Sequence, residues 1–167
     1  MTNRMTKRTF FGAAGAAAAT AIAALVAGRG SEASAEAFEV NLTPEQWRRR
    51  LTPEQYRVLR QQGTERAGTS PLNREHRRGT FVCAGCDLPV FRSQDKFESG
   101  TGWPSFVRAI DGNVRTRPDN TLFMTRTEAY CRRCGGHLGH VFDDGPRPTG
   151  QRWCMNGVAL KFVPARA

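Results

Sequence analysis

Apolar and polar positions alternate differently in three stretches of the chain. Phe10 to Ala27 is an uncharged run dominated by Ala and Gly. Two short, nearly identical segments follow, Leu42-Thr43-Pro44-Glu45-Gln46-Trp47 and Leu51-Thr52-Pro53-Glu54-Gln55-Tyr56, spaced by nine residues. Each offers Thr as N-cap, Pro at the first helical position and Gln at the third, so each predicts a short helix. The second helix should run to about Gln62 and stop at Gly63. Residues 67–79 are polar and contain Pro71, which reads as loop. From Thr80 onward the apolar residues come in short runs broken by turn formers. Val107–Ile110, an Asp111-Gly112 turn and Val114–Thr116 predict a hairpin. Leu122–Thr127, Gly139–Phe142 and Val158–Val163 are further predicted strands, and no long amphipathic helix appears after Gly63.

The expected fold is therefore mainly β and antiparallel, with short helices at its start. Residues 1–35 are set aside as an export signal peptide. Arg4, Lys7 and Arg8 make a positive start, and Ala33-Ser34-Ala35 offers a small-residue cleavage site. The stretch Thr6-Lys7-Arg8-Thr9-Phe10-Phe11 is similar to a twin-arginine signal with Lys in place of the first Arg. The alternative is an uncleaved anchor, but Ala and Gly give the run weak hydrophobicity. The expectation is an exported, periplasmic protein without a stable membrane anchor after cleavage. Residues 36–80 (helices and loop) and 81–167 (β region) are expected to form one domain.

Composition adds a constraint. The chain has 167 residues, 39% hydrophobic and 24% charged, which is globular rather than disordered. Lys and Arg number 25 against 15 Asp and Glu, a net charge of +10. The excess permits contact with nucleic acid. The arginines are spread along the chain, however, rather than gathered into a binding stripe.

Five cysteines cannot form disulfides without leaving one thiol over. Cys83-Ala84-Gly85-Cys86 and Cys131-Arg132-Arg133-Cys134 are two pairs with two-residue spacers. Such turns aim both sulfurs at one ion, and two of them make the four-thiolate set of structural zinc. Two disulfides or a four-thiolate iron site use the same residues. Cys154 is the odd one, in Arg152-Trp153-Cys154-Met155-Asn156. It reads either as a small buried hydrophobe or as a nucleophile. On a strand Arg152 would share its face, and a guanidinium favours the thiolate. His137 and His140 could move protons, or could be two structural histidines. Trp103 could equally be a core residue, and Asp144 a turn residue before Gly145-Pro146.

Taken together these motifs resemble the methionine-R-sulfoxide reductases, the B-type class. The similarity runs from about Trp47 to Phe162. It includes Leu51–Tyr56, the two cysteine pairs and the run from Lys96 to Phe106 containing Gly100-Thr101-Gly102-Trp103-Pro104-Ser105. It continues through Cys134-Gly135-Gly136-His137-Leu138-Gly139-His140-Val141-Phe142, Asp144-Gly145-Pro146 and Arg152–Asn156. The resemblance implies two antiparallel sheets and a structural zinc on Cys83, Cys86, Cys131 and Cys134. It implies reduction of the R epimer of peptide-bound methionine sulfoxide, with Cys154 as the nucleophile that becomes a sulfenic acid. His137, His140 and Asn156 match groups that bind or protonate the sulfoxide oxygen. Asp144 matches a nearby carboxylate and Arg152 the arginine beside the nucleophile. Trp103 and Phe142 match the substrate-binding positions, with Trp103 receiving the methyl group.

The chain departs from the pattern at Thr101, where many members carry a cysteine that resolves the sulfenic acid. The implication is a single-cysteine mechanism in which an external thiol attacks oxidised Cys154. The donor would be a thioredoxin-like protein, a glutaredoxin or a small thiol. Trp153 stands where a tyrosine-type aromatic is commoner, and Gly157 where serine is common. Oxidised proteins or peptides are the expected partners, with no nucleic acid, and a monomer is expected. Two competing classes use the same cysteines: a zinc-knuckle nucleic-acid module and a rubredoxin-like electron carrier. Neither has a reason to carry Cys154 with the His pair.

Overall fold

The computed structural model describes residues 37–121 and 124–166. The export signal expected in residues 1–35 lies outside the described residues. Helices α1 (Pro44–Arg50) and α2 (Pro53–Gln61) both begin at capping boxes. The Thr43 and Thr52 hydroxyls accept from the Gln46 and Gln55 N–H groups, and those glutamine side chains accept in return from the cap N–H groups. Such caps contribute about 1 kcal/mol each, which matters for helices too short to persist alone. Helix α2 ends one residue earlier than expected. Gln62, not Gly63, takes the left-handed backbone (φ 54°), and its amide then reaches Glu128. Trp47, Val58 and Leu59 are buried and fix both helices onto the sheets.

The first sheet has three strands, β1 (Gly79–Cys83), β2 (Pro89–Arg92) and β9 (Leu160–Pro164), in the order β2-β1-β9. The second contains β3 (Lys96–Phe97), β4 (Ser105–Phe106), β5 (Val114–Asp119), β6 (Arg126–Cys131), β7 (His137–Phe142) and β8 (Arg152–Met155). Its order is β3-β4-β8-β7-β6-β5, and every pairing in both sheets is antiparallel. The expected two-sheet β fold with short leading helices is present. Three fully buried phenylalanines join the sheets. Phe106 of the second sheet stacks on Phe91 (4.3 Å) and meets Phe81 edge-on (5.0 Å), both from the first.

Three strand predictions need correction. The Val107–Ile110 hairpin does not form. Val107 N–H donates to Asp95 and Ile110 N–H to Val90, so this segment is bound to earlier residues and closes in a turn at Asn113. Val114–Asp119 pairs instead with Arg126–Cys131. The strand expected at Leu122–Thr127 starts at Arg126, with Leu122 and Phe123 outside the described residues. There Asp119 accepts from both the N–H and the hydroxyl of Thr121, turning the chain. The strand expected from Val158 starts at Leu160. Residues Gly157–Ala159 form a 3-10 turn because Val158 N–H donates to the buried Glu65 carboxylate. The predicted 67–79 loop also holds a 3-10 turn, Pro71–Arg74, capped by Ser70.

Candidate functional site

Two sulfur-containing sites stand apart. The first joins the turn after β1 to the turn after β6. Cys83 accepts backbone N–H bonds from Cys86 and Asp87, and Cys131 accepts one from Gly135. Asp87 (φ 59°) and Gly135 (φ 66°) take the left-handed conformation that closes each turn. The four sulfurs lie within 4.8 Å of one another and all four residues are buried. Cys83 Sγ is 3.7 Å from Cys134 Sγ, and Cys86 Sγ is 3.5 Å from Cys131 Sγ. A disulfide needs about 2.05 Å. A tetrahedral metal with bonds of about 2.3 Å sets its sulfurs about 3.8 Å apart. The cluster therefore fits a structural metal. The neighbouring sulfurs, Cys131 foremost, together with burial push the Cys83 thiol well above its ordinary range. A cation is what allows four thiolates to share this space.

The second site is built on β8. Its central position places Cys154 opposite Ser105 on one side and His140 on the other. Cys154 is partly exposed and opens into a cleft of about 120 Å³. Thr64, Trp103, Arg126, Gly139, His140, Phe142, Cys154 and Asn156 line it. Gly139 is required: a side chain there would run into the main chain at Cys154. Trp103 is oriented by its indole N–H donating to Glu65 O (3.1 Å). Asn156 is held at both ends, accepting from Glu65 N–H (2.8 Å) and donating to Leu138 O (3.1 Å). Burial pushes the Glu65 carboxyl up, while its bonds from Val158 and Gly157 offset part of that rise.

Both histidines are paired with carboxylates. His137 Nδ1 lies 2.8 Å from Glu128 Oε1, and Arg117 donates to the same carboxylate (2.6 Å). Burial works to raise the Glu128 pKa, yet the His137 and Arg117 hydrogen bonds hold it at about 2. His137 Nε2 is buried with no hydrogen-bond partner among the described residues. His140 Nε2 lies 2.8 Å from Asp119 Oδ2, which also accepts from Arg126. Burial pushes His140 below its ordinary value, partly offset by Asp119. Bonds from Thr121 and then His140 hold Asp119 below the usual carboxylate range. The imidazoles touch edge to face at 5.3 Å.

Arg152 forks onto Asp144 (2.8 and 2.9 Å) and lies over the Phe142 ring (4.3 Å). Of the site residues expected from sequence, Cys154, His140, Asn156, Trp103 and Phe142 line the cleft. His137 and Arg152 do not line it but pack against two residues that do, His140 and Phe142. Asp144 is exposed and, among the described residues, reaches the site through Arg152. Sequence reasoning missed Glu128, Asp119, Arg126 and Thr64. The period-two pattern Arg126, Glu128, Tyr130 was available, but nothing local says that Glu128 will be buried beside a histidine.

The comparisons agree with this geometry. The SelR domain family matches residues 51–164. Peptide methionine sulfoxide reductase MsrB of Leptospira interrogans is 55% identical over 126 residues, covering 75% of this chain and 96% of that protein. The enzyme of the same name from Thiobacillus denitrificans is 56% identical over 123 residues, 73% of this chain and 93% of that protein. Peptide methionine sulfoxide reductase B1, chloroplastic, of Arabidopsis thaliana is 52% identical over 123 residues, 73% and 61% respectively. A β fold with a four-cysteine cluster, a lone thiol and carboxylate-paired histidines defines the same class. The chain belongs to the SelR-domain family, the MsrB methionine sulfoxide reductases.

Proposed function

We propose that the protein reduces the R epimer of methionine sulfoxide in peptides and proteins at Cys154, by a single-cysteine mechanism. Family membership carries the overall reaction. The observation that carries the site assignment is one accessible thiol in a cleft walled by an indole, a phenyl ring and the Asp119-paired His140 imidazole, against which His137 packs. Trp103 and Phe142 receive the apolar S-methyl group. The Cys154 thiolate attacks the sulfoxide sulfur while the oxygen is protonated, because an unprotonated oxygen leaves poorly.

His137 is the better proton donor of the two. Glu128 orients its ring through Nδ1, and its buried Nε2, without a partner among the described residues, is left for the substrate oxygen. Burial disfavours a charge on His140, which orients with Asp119, and Asn156 adds a fixed amide. Methionine leaves and the oxygen ends on Cys154 as a sulfenic acid. One external thiol then displaces that oxygen as water, forming a mixed disulfide. A second thiol releases Cys154 and leaves as the oxidised disulfide. The buried metal-cluster cysteines and Thr101 give Cys154 no internal partner. The donor is a thioredoxin-like protein, a glutaredoxin or a small thiol.

Zinc is the metal that suits four closely grouped thiolates with no open position, and its role is structural. Residues 1–35 direct export to the periplasm by a twin-arginine-like signal, with zinc bound before the thiolates meet an oxidising compartment. The decisive test is turnover of each epimer of a blocked methionine sulfoxide with dithiothreitol. Reduction of the R epimer alone, lost in Cys154→Ser, is the expected result. Turnover retained in that variant would refute the assignment.

A further inference from the structure

Cys154 is joined to a chain of three hydroxyls. Thr101 Oγ1 lies 3.8 Å from its sulfur, Ser99 Oγ lies 2.9 Å from Thr101 Oγ1, and Ser105 Oγ lies 2.8 Å from Ser99 Oγ. Ser105 is fully buried and pairs with Cys154 across β4 and β8. Its hydroxyl also reaches Trp103 O at 3.2 Å. Glycines with positive φ flank Thr101, Gly100 at 73° and Gly102 at 90°. They fold the loop so that residues 99, 101 and 105 all meet.

A hydroxyl has one hydrogen to give and two lone pairs to accept with, so the chain can run in either direction. With Cys154 as a thiol, S–H donates to Thr101, Thr101 to Ser99, Ser99 to Ser105, and Ser105 to Trp103 O. With Cys154 as a thiolate, every hydroxyl rotates: Ser105 donates to Ser99, Ser99 to Thr101, and Thr101 to the sulfur. No proton travels along the chain and no heavy atom moves. A hydrogen bond to an ion is roughly twice as strong as one between neutral groups, so the reversed chain favours the thiolate.

We propose that Thr101 is a positioning residue for Cys154, and that the Ser105–Ser99–Thr101 chain holds its hydroxyl ready to donate to the thiolate. The inference rests on Cys154 being the reacting thiol. Thr101, standing where a second cysteine would serve as a resolving group, thus has a use of its own.

The test is the pH dependence of Cys154 alkylation by iodoacetamide, followed at that residue by mass spectrometry in the full chain. Thr101→Val keeps the shape and removes the hydroxyl; Thr101→Ser keeps the hydroxyl. The midpoint of Thr101→Val should move to higher pH. Its alkylation at pH 7 should slow by about five- to tenfold, with kcat/KM falling alongside. Thr101→Ser should follow the unaltered protein, and Ser99→Ala should fall between. Thr101→Val alkylating like the unaltered protein would overturn the proposal. So would Thr101→Ser being as slow as Thr101→Val, which would make the role one of packing. If the unaltered protein alkylates as expected but reduces neither epimer, the proposed function fails and the positioning role stands.

Discussion

The four-cysteine cluster and the Cys154 cleft use the same element to opposite ends. In the cluster each sulfur faces three others at the end of a turn pinned by backbone hydrogen bonds, and all four residues are buried. Such a site can satisfy itself only by binding a cation, after which its thiolates are spent. At Cys154 the sulfur faces a hydroxyl and an open cleft. No other cysteine sulfur sits against it among the described residues, so it stays available for attack. What separates a structural cysteine from a reacting one here is the set of groups around the sulfur, since both kinds are held on β structure a few strands apart.

The sharpest way to break this contrast is to remove the reacting sulfur alone. Cys154→Ser should lower turnover by about 10³-fold or more, with the bound metal and thermal midpoint retained. Loss of metal in that variant, seen by elemental analysis, would show the two sites to be coupled. The reverse cut is Cys131→Ser, or stripping the metal with a strong chelator. The midpoint of thermal unfolding should fall by on the order of 15 °C. Turnover should then fail by unfolding, with a normal rate in the fraction still folded, as circular dichroism and single-temperature kinetics would show.

Beside the cleft, His137→Gln should cost about 10²-fold in kcat while leaving iodoacetamide alkylation of Cys154 largely unchanged. Its partner carries an acid dependence of stability. Glu128 lies at about 2 against an ordinary 4.5. Its contribution is therefore complete above pH 4.5 and is lost as pH falls towards 2. Denaturant titrations should show that loss, and Glu128→Gln should flatten it over that window. The smallest effect belongs to Asp144→Asn. Among the described residues this exposed carboxylate touches the site through Arg152, so kcat/KM should change by less than about threefold.

Much of this was legible in the chain. The Thr-Pro-Glu-Gln segments announce their own caps, because N-cap and N3 are local in sequence. The two-residue spacers of Cys83/Cys86 and Cys131/Cys134 are likewise local, and joining them needs only four equivalent donors. The strand boundaries failed where distant groups decide. Val107–Ile110 alternates like a strand, but Asp95 and Val90 claim its N–H groups. Val158 is drawn out of β9 by Glu65, a residue far away in sequence. The carboxylates behind the histidines were hidden for the same reason. Glu128 stands opposite His140 in the ladder yet bonds His137, because the register shifts between Ala129 and Tyr130.

Gly139 carries a lesson for anyone reshaping the enzyme. The depth of the nucleophile is set by main chain lying flush on main chain, so the gap between β7 and β8 works as a fixed gauge. Libraries aimed at new sulfoxides can vary Thr64, Phe142 and Arg126 and alter the mouth of the cleft without moving the sulfur. A single methyl at position 139 would lift the strand that carries Cys154, so that position is the one to leave out of the library.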